Sequence, residues 1–289
     1  MNNPTSGNLK KVLCGGALGL YHMAYREWGG LQNKSVLVCV HGLTRNSLDF
    51  DRLGKALSGK YRVIAPDVTG RGESDSLQDP MAYIPETYTA DMITLLAKLG
   101  VDQVDWLGTS MGGEIGMMIA GQTNSPIRRL ILNDVGPTLS MNTMKHITDY
   151  VGNPYQFADE VSARKYAQGV FAPFGLKDEA EWEWFFQTTF KPLPSGGLRL
   201  NYDKEIRQAL HEQFFDQPFD LWSRYDAIKC PTMLIHGALS GLLATETATA
   251  MTQRGPRASL KIVEGVGHAP MFMSEDQIAL VRDFLDATL

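Results

Sequence analysis

Apolar residues along the chain fall into two kinds of run. Residues 35–40 read Ser-Val-Leu-Val-Cys-Val, the continuous β-favouring run of a strand buried on both faces. Residues 20–28 alternate well enough for an earlier strand, ended by Gly29-Gly30, and shorter runs at 62–65, 104–107, 129–132, 232–235 and 260–263 predict five more. Between them the period changes to that of a helix. Phe50, Leu53 and Leu57 share one face of an expected helix over 47–57 that Gly59 closes. Met92, Leu95, Leu96 and Leu99 share a face of the next, with Thr87 as its expected cap, Lys98 in its last turn and Gly100 as its stop. An apolar helix is expected over 111–121. Ser274 with Gln277 predicts a capping box for a last helix presenting Ile278, Val281, Phe284 and Leu285.

Strands alternating with helices predict an α/β fold, with right-handed crossovers and a largely parallel sheet covered on both faces. One stretch breaks the rhythm. From about Leu139 to Trp222 strand-like runs are lacking, and aromatic and helical signals dominate, among them Trp182, Trp184, Phe185 and Phe186. The expected organisation is therefore a core of residues 1–137 and 223–289, with residues 138–222 inserted between two strands as a helical cap.

Composition narrows the partners. Of 289 residues 44% are hydrophobic and 20% charged, and the net charge of -5 comes with no clustered basic stripe. Nucleic acid and anionic membranes are thereby disfavoured, which leaves a small molecule as the expected partner; the sequence does not fix an oligomeric state. Cys14, Cys39 and Cys230 cannot all pair and show no C-x-x-C spacing, so reduced thiols are expected. Lys10 and Lys11 precede an apolar stretch of signal-like polarity, but it is short, broken by Gly15, Gly16 and Gly19, and lacks an A-x-A exit. A strand and loop in a cytoplasmic protein are expected there.

The strongest chemical signal is Gly108-Thr109-Ser110-Met111-Gly112-Gly113, at the junction of the strand over 104–107 and the helix after it. A G-x-S-x-G in that setting holds a serine on a strained turn, with small neighbours where strand and helix crowd each other. The helix N-terminus adds N–H groups and partial positive charge suited to an oxyanion. His268, in Gly-Val-Gly-His-Ala-Pro after the last strand, is placed for a general base. His41-Gly42-Leu43 follows the strand over 35–40. There the backbone N–H of Leu43 pairs with that of Met111 as expected oxyanion donors, and His41 itself is expected to be structural. The Gly70-Arg71-Gly72 turn lacks the rest of a phosphate loop, and no histidine spacing suggests a metal.

The elbow, the His-Gly loop, Asp67-Val68-Thr69-Gly70-Arg71-Gly72-Glu73-Ser74, Asn133-Asp134-Val135-Gly136-Pro137 and the His268 loop occur in this order. Together they resemble the α/β-hydrolase superfamily, within it the capped esterase, lactonase and C–C-bond hydrolase group. The resemblance spans nearly the whole chain and is weakest over the cap. It implies an eight-stranded, mostly parallel sheet, a Ser–His–acid triad and no cofactor. Relatives that are haloalkane dehalogenases or epoxide hydrolases carry Asp at the elbow, where this chain has Ser110.

One position departs from the pattern. The acid of such hydrolases usually follows the strand that is here 232–235, yet this loop reads Gly237-Ala238-Leu239-Ser240-Gly241, with Gly241 at the expected acid position. Three explanations stand open. Asp134 supplies the carboxylate from the neighbouring strand end; Gly241 marks an impaired protein; or Glu246 reaches in from the next helix. The expected function is a serine hydrolase acting on a carboxylic ester or apolar acyl substrate through an acyl-enzyme. The alternatives are a lactonase or C–C-bond hydrolase using the same residues, and a ligand-binding protein with impaired catalysis.

Overall fold

The computed structural model describes residues 6–214 and 219–287. Eight strands build the main sheet: β1 (Asn8–Gly16), β2 (Gly19–Trp28), β3 (Ser35–Val40), β4 (Tyr61–Pro66), β5 (Val104–Thr109), β6 (Ile127–Asn133), β7 (Thr232–Gly237) and β8 (Ser259–Val263). Their spatial order is β1-β2-β4-β3-β5-β6-β7-β8. The pairs of β2 with β1 and with β4 are antiparallel, and every other pair is parallel.

Side chains of the central strands sort onto the two faces with the period of a strand. Val36, Val38 and Val40 of β3 face one apolar core and Leu37 and Cys39 the other. The first core receives Met92, Leu95, Leu96 and Leu99 of α2 (Pro85–Leu99) and Ile115 and Ile119 of α3 (Met111–Ala120). The second receives Leu53 and Leu57 of α1 (Asp51–Leu57) and Ile278, Val281 and Leu285 of a last helix, Glu275–Ala287.

One expected helix start and one expected capping box are corrected. Helix α2 begins at Pro85 with Ile84 as its cap residue and no side-chain cap, so Thr87 lies inside the first turn. Proline at the first helical position lacks an N–H that would otherwise go unpaired, and its fixed φ starts the helix three residues early. At the last helix the capping box does not close. The Gln277 side chain instead accepts from the Phe272 N–H at 2.7 Å, tying down the loop that follows His268.

Among its described residues the stretch between β6 and β7 carries five α-helices: α4 (Met141–Tyr150), α5 (Glu160–Phe171), α6 (Glu179–Thr189), α7 (Ile206–Phe214) and α8 (Trp222–Ala227). It also holds short strands, contrary to the reading that strand-like runs are lacking there. Gln156–Phe157, Leu198–Leu200 and Phe190–Pro192 form a small sheet, and Thr138–Leu139 pairs with Phe219–Asp220. Segments of two or three residues are too short to show a period of two, which is why the pattern hides them.

The insertion is tied to the core by polar contacts rather than by apolar packing alone. Arg45, in the loop after β3, forks onto Asp49, donates to Thr188 and Thr189 at the end of α6, and lays its guanidinium 3.9 Å from the centre of the Phe185 ring. Asn46 donates to the Thr188 carbonyl at 2.8 Å. On the other side the Asp203 N–H donates to the Gly70 carbonyl at 2.7 Å, and the Tyr83 hydroxyl donates to the Asp203 carboxylate at 2.6 Å. Among the described residues no helix is long and apolar enough to cross a membrane.

The tightest constraint lies where β3, β5 and α3 meet. A Cβ on Gly108 would collide with the backbone of Gly112 and Gly113, and one on Gly112 would collide with the Val40 carbonyl. Backbone cannot step aside as a flexible side chain can. Gly112→Ala is therefore expected to lower the unfolding free energy by about 2 kcal/mol or more, the upper range of overpacking penalties, read from urea unfolding midpoints. An unchanged midpoint would contradict the crowding.

Candidate active site

Ser110 is the residue between β5 and α3. Its φ of 50° and ψ of -119° put a side chain with a Cβ in a region that favours glycine, at a cost of about 1–3 kcal/mol that the surroundings must offset. They do so by holding both neighbours of the turn. The Ser110 N–H donates to the Asn133 carbonyl at 3.1 Å, and the Gly113 and Glu114 N–H groups donate to the Ser110 carbonyl at 2.7 and 3.1 Å. The Asn133 amide reaches the Thr109 hydroxyl at 2.9 Å and the Pro270 carbonyl at 2.8 Å, so one side chain links the elbow to the His268 loop.

Asp134 follows β6 with φ 52° and is fully buried. Its carboxylate faces Nδ1 of His268 at 2.8 Å and Nδ1 of His236 at 2.9 Å. It also accepts from the Gly237 N–H at 2.9 Å and the Ser240 hydroxyl at 2.6 Å. Burial alone would raise this carboxyl. The hydrogen bonds from His236 and His268, the nearby charge of His268 and the Ser240 bond outweigh it and hold the group below its ordinary range. Of the three explanations for the missing acid, the geometry brings Asp134 to the imidazole. Glu246 is exposed in the first turn of the helix Thr245–Gln253. Gly241 is also exposed, with nothing within 4 Å of where its Cβ would lie.

Ser110 and His268 line one cavity of about 720 Å³, together with Gly42, Leu43, Met111 and Gly241. A Cβ on Gly42 would sit 3.6 Å from the Ser110 Cβ, so the Gly42-Leu43 backbone runs directly past the serine. Neither the Leu43 nor the Met111 N–H has a protein acceptor among the described residues. Arg71, almost fully buried, reaches both positions: its Nε donates to the Leu43 carbonyl at 3.0 Å and one Nη lies 3.7 Å from the Met111 sulfur. Its other Nη donates to the Thr69 carbonyl and the Tyr88 hydroxyl. The rest of the wall is mostly apolar and comes from both core and insertion, including Leu139, Met144, Ile147, Phe171 and Phe174. Trp182, Trp184, Phe185 and Phe186 are not among the lining residues; Trp182 packs edge-on against Phe185, and Phe186 packs against Phe190.

Sequence reading passed over His236, Ser240, the anchoring role of Arg71, and Glu114 in the cavity wall. A signal for the first was present. His236-Gly237 at the end of β7 repeats the His41-Gly42 pair at the end of β3, and each histidine uses its ring to hold the backbone or side chains of a strand-end loop. The three cysteines are free thiols, two of them buried.

The comparisons with known proteins fit this geometry. The profile of the alpha/beta hydrolase fold matches residues 35–274, and the chain belongs to that family. It is 42% identical, over 96% of its length and 98% of the relative's, to a 3-hydroxybutyrate-oligomer hydrolase of Cupriavidus necator. It is 26% identical to Lipase 1 of Psychrobacter immobilis, over 89% of this chain and 78% of that one. Among solved structures, an alpha/beta hydrolase from Novosphingobium aromaticivorans superposes with a TM-score of 0.84 at 29% identity, covering 97% of this chain and 99% of the other. A Rickettsia typhi protein superposes with a TM-score of 0.90 at 30% identity, covering 98% and 100%.

His41 beside the elbow supplies a pH test of the scaffold. It is fully buried, sits with Nδ1 2.7 Å from the Gly42 carbonyl, and accepts from the Val68 N–H on Nε2, which fixes the neutral ring. Burial, the largest influence, and the Arg71 and Arg45 charges push its pKa down to about 3 against the pull of the Gly42 carbonyl. The unfolded ring protonates near 6.5, so the unfolded state binds the extra proton first, and stability is present above that pH and lost below it. Between pH 7 and pH 5 the wild type is expected to lose about 2 kcal/mol more than His41→Gln. Parallel pH profiles of the two proteins would contradict this.

Proposed function

We propose that the protein is a serine hydrolase of carboxylic esters, with Ser110 as nucleophile, His268 as general base and Asp134 as the carboxylate that orients it. The observation that carries this reading is the 2.8 Å contact between Asp134 and His268 Nδ1, with His268 and Ser110 on the wall of one cavity. A proton on Nδ1, held by the carboxylate, leaves the Nε2 lone pair to take the Ser110 proton as Oγ attacks the ester carbonyl. The Leu43 and Met111 N–H groups receive the oxyanion; the Gly42 carbonyl, on the same peptide as the Leu43 N–H, is held by His41 and the Arg45 N–H, and Arg71 holds the Leu43 carbonyl of the next peptide. Collapse returns the proton to the leaving alcohol. A water molecule, deprotonated by His268, then releases the acid and restores Ser110.

The cavity's apolar wall suits a short aliphatic acyl chain, and residues 138–222, which furnish much of that wall, act as the cap. The C. necator relative supports short oligoesters of hydroxyalkanoic acids as the substrate class. Such chains are small, and the protein's place is in the cytoplasm. A reading in which Gly241 leaves only a binding protein is not favoured, because Asp134 already holds His268 from the neighbouring strand end.

Hydrolysis of p-nitrophenyl butyrate and of the linear 3-hydroxybutyrate dimer tests the proposal. Ser110→Ala is expected to abolish both. Asp134→Asn is expected to lower kcat by about 10³–10⁴, as loss of the orienting carboxylate does in serine proteases. Full turnover by Ser110→Ala, or an Asp134→Asn enzyme within a few-fold of wild type, would contradict it.

A further inference from the structure

Glu114 lines the same cavity and has no assigned part in the chemistry above. It lies one helical turn beyond Ser110 on α3, its N–H bonded to the Ser110 carbonyl. Ser110 and Glu114 both line the cavity, so the wall that carries the serine also carries this carboxyl. Other ionisable wall groups are engaged: Arg45 and Asp49 with each other, Tyr88 with Arg71, Tyr83 with Asp203, and His268 with Asp134. The Glu114 carboxyl alone among these has no hydrogen-bond or ionic partner among the described residues. A carboxyl set in an apolar wall without a partner is costly, and the cost falls when a ligand supplies the missing hydrogen bond.

We propose that Glu114 is a substrate-recognition residue that hydrogen-bonds a hydroxyl on the acyl chain, so that the cavity selects 3-hydroxyacyl esters over plain acyl esters. The proposal rests on the ester-hydrolase reading and adds the group that the unoccupied carboxyl recognises. Both side chains line the one cavity, and an ester whose carbonyl carbon is at Ser110 carries such a hydroxyl two carbons along its acyl chain, within that cavity. Burial pushes the Glu114 carboxyl up to about 7. Below that pH it is the uncharged acid, which both donates to and accepts from a hydroxyl. A cationic amine would instead need an ionised partner, which this apolar wall disfavours.

The test compares kcat/KM for p-nitrophenyl 3-hydroxybutyrate, p-nitrophenyl butyrate and p-nitrophenyl 3-aminobutyrate, each divided by its uncatalysed rate. Wild type is expected to favour the hydroxy ester over the butyrate by about tenfold, the worth of one neutral hydrogen bond of about 1.4 kcal/mol. Glu114→Met, similar in length and a good helix former, should bring that ratio near one. Glu114→Gln, whose amide also donates and accepts, should keep most of it. A wild-type ratio near one, a ratio preserved in Glu114→Met, or a preference for the amino ester would overturn the proposal while leaving the ester-hydrolase reading intact. Failure of wild type to cleave any of the three would sink both.

Discussion

Everything at this site turns on one buried carboxylate. Asp134 receives four hydrogen bonds from three segments distant in sequence: the end of β7, the loop after it, and the loop after β8. A carboxylate that far from water is stable only when nearly every lone pair is occupied, and here they are. The same bonds fix where the His268 ring stands, so removing the charge disturbs the position of the imidazole as well as its electrostatics. His236 and Ser240 occupy the lone pairs that His268 leaves, which ties the position of the His268 ring to the packing of two strand ends.

The serine is held by the opposite device. Its turn is kept by crowding, with backbone of β3, β5 and α3 so close that Gly108 and Gly112 admit no side chain. Asn133 joins the two devices, since its carbonyl anchors Ser110 and its amide anchors the loop beyond His268. The insertion contributes little to this frame and much to the cavity. It is docked through Arg45, Asn46 and Asp203 and lays apolar side chains over the serine.

Much of this was legible in the chain. Strands buried on both faces announce themselves by short, largely apolar runs, and the elbow by glycines on either side of a serine at a strand–helix junction. What failed did so for local reasons. Thr87 has the chemistry of a cap, but Pro85 starts the helix first; Gln277 fits a capping box, but the Phe272 N–H competes for its side chain. The acid stayed open because Asp134 and His268 lie 134 residues apart, and no periodicity reports such a contact. His236 was overlooked because a histidine at the end of a buried strand reads as core. Glu114, four residues beyond Ser110, shows its isolation only once the other residues of the cavity wall are in view.

In the proposed reading the carboxylate comes from the end of β6, and Gly241 lies on exposed backbone with nothing within 4 Å of where its Cβ would be. The most direct test of the Asp134–His268–Ser110 unit is the rate at which a fluorophosphonate labels the protein, followed by peptide mapping. The account predicts a single adduct on Ser110, formed far more slowly in Asp134→Asn. An adduct on another residue, or an equal labelling rate in the two proteins, would contradict it.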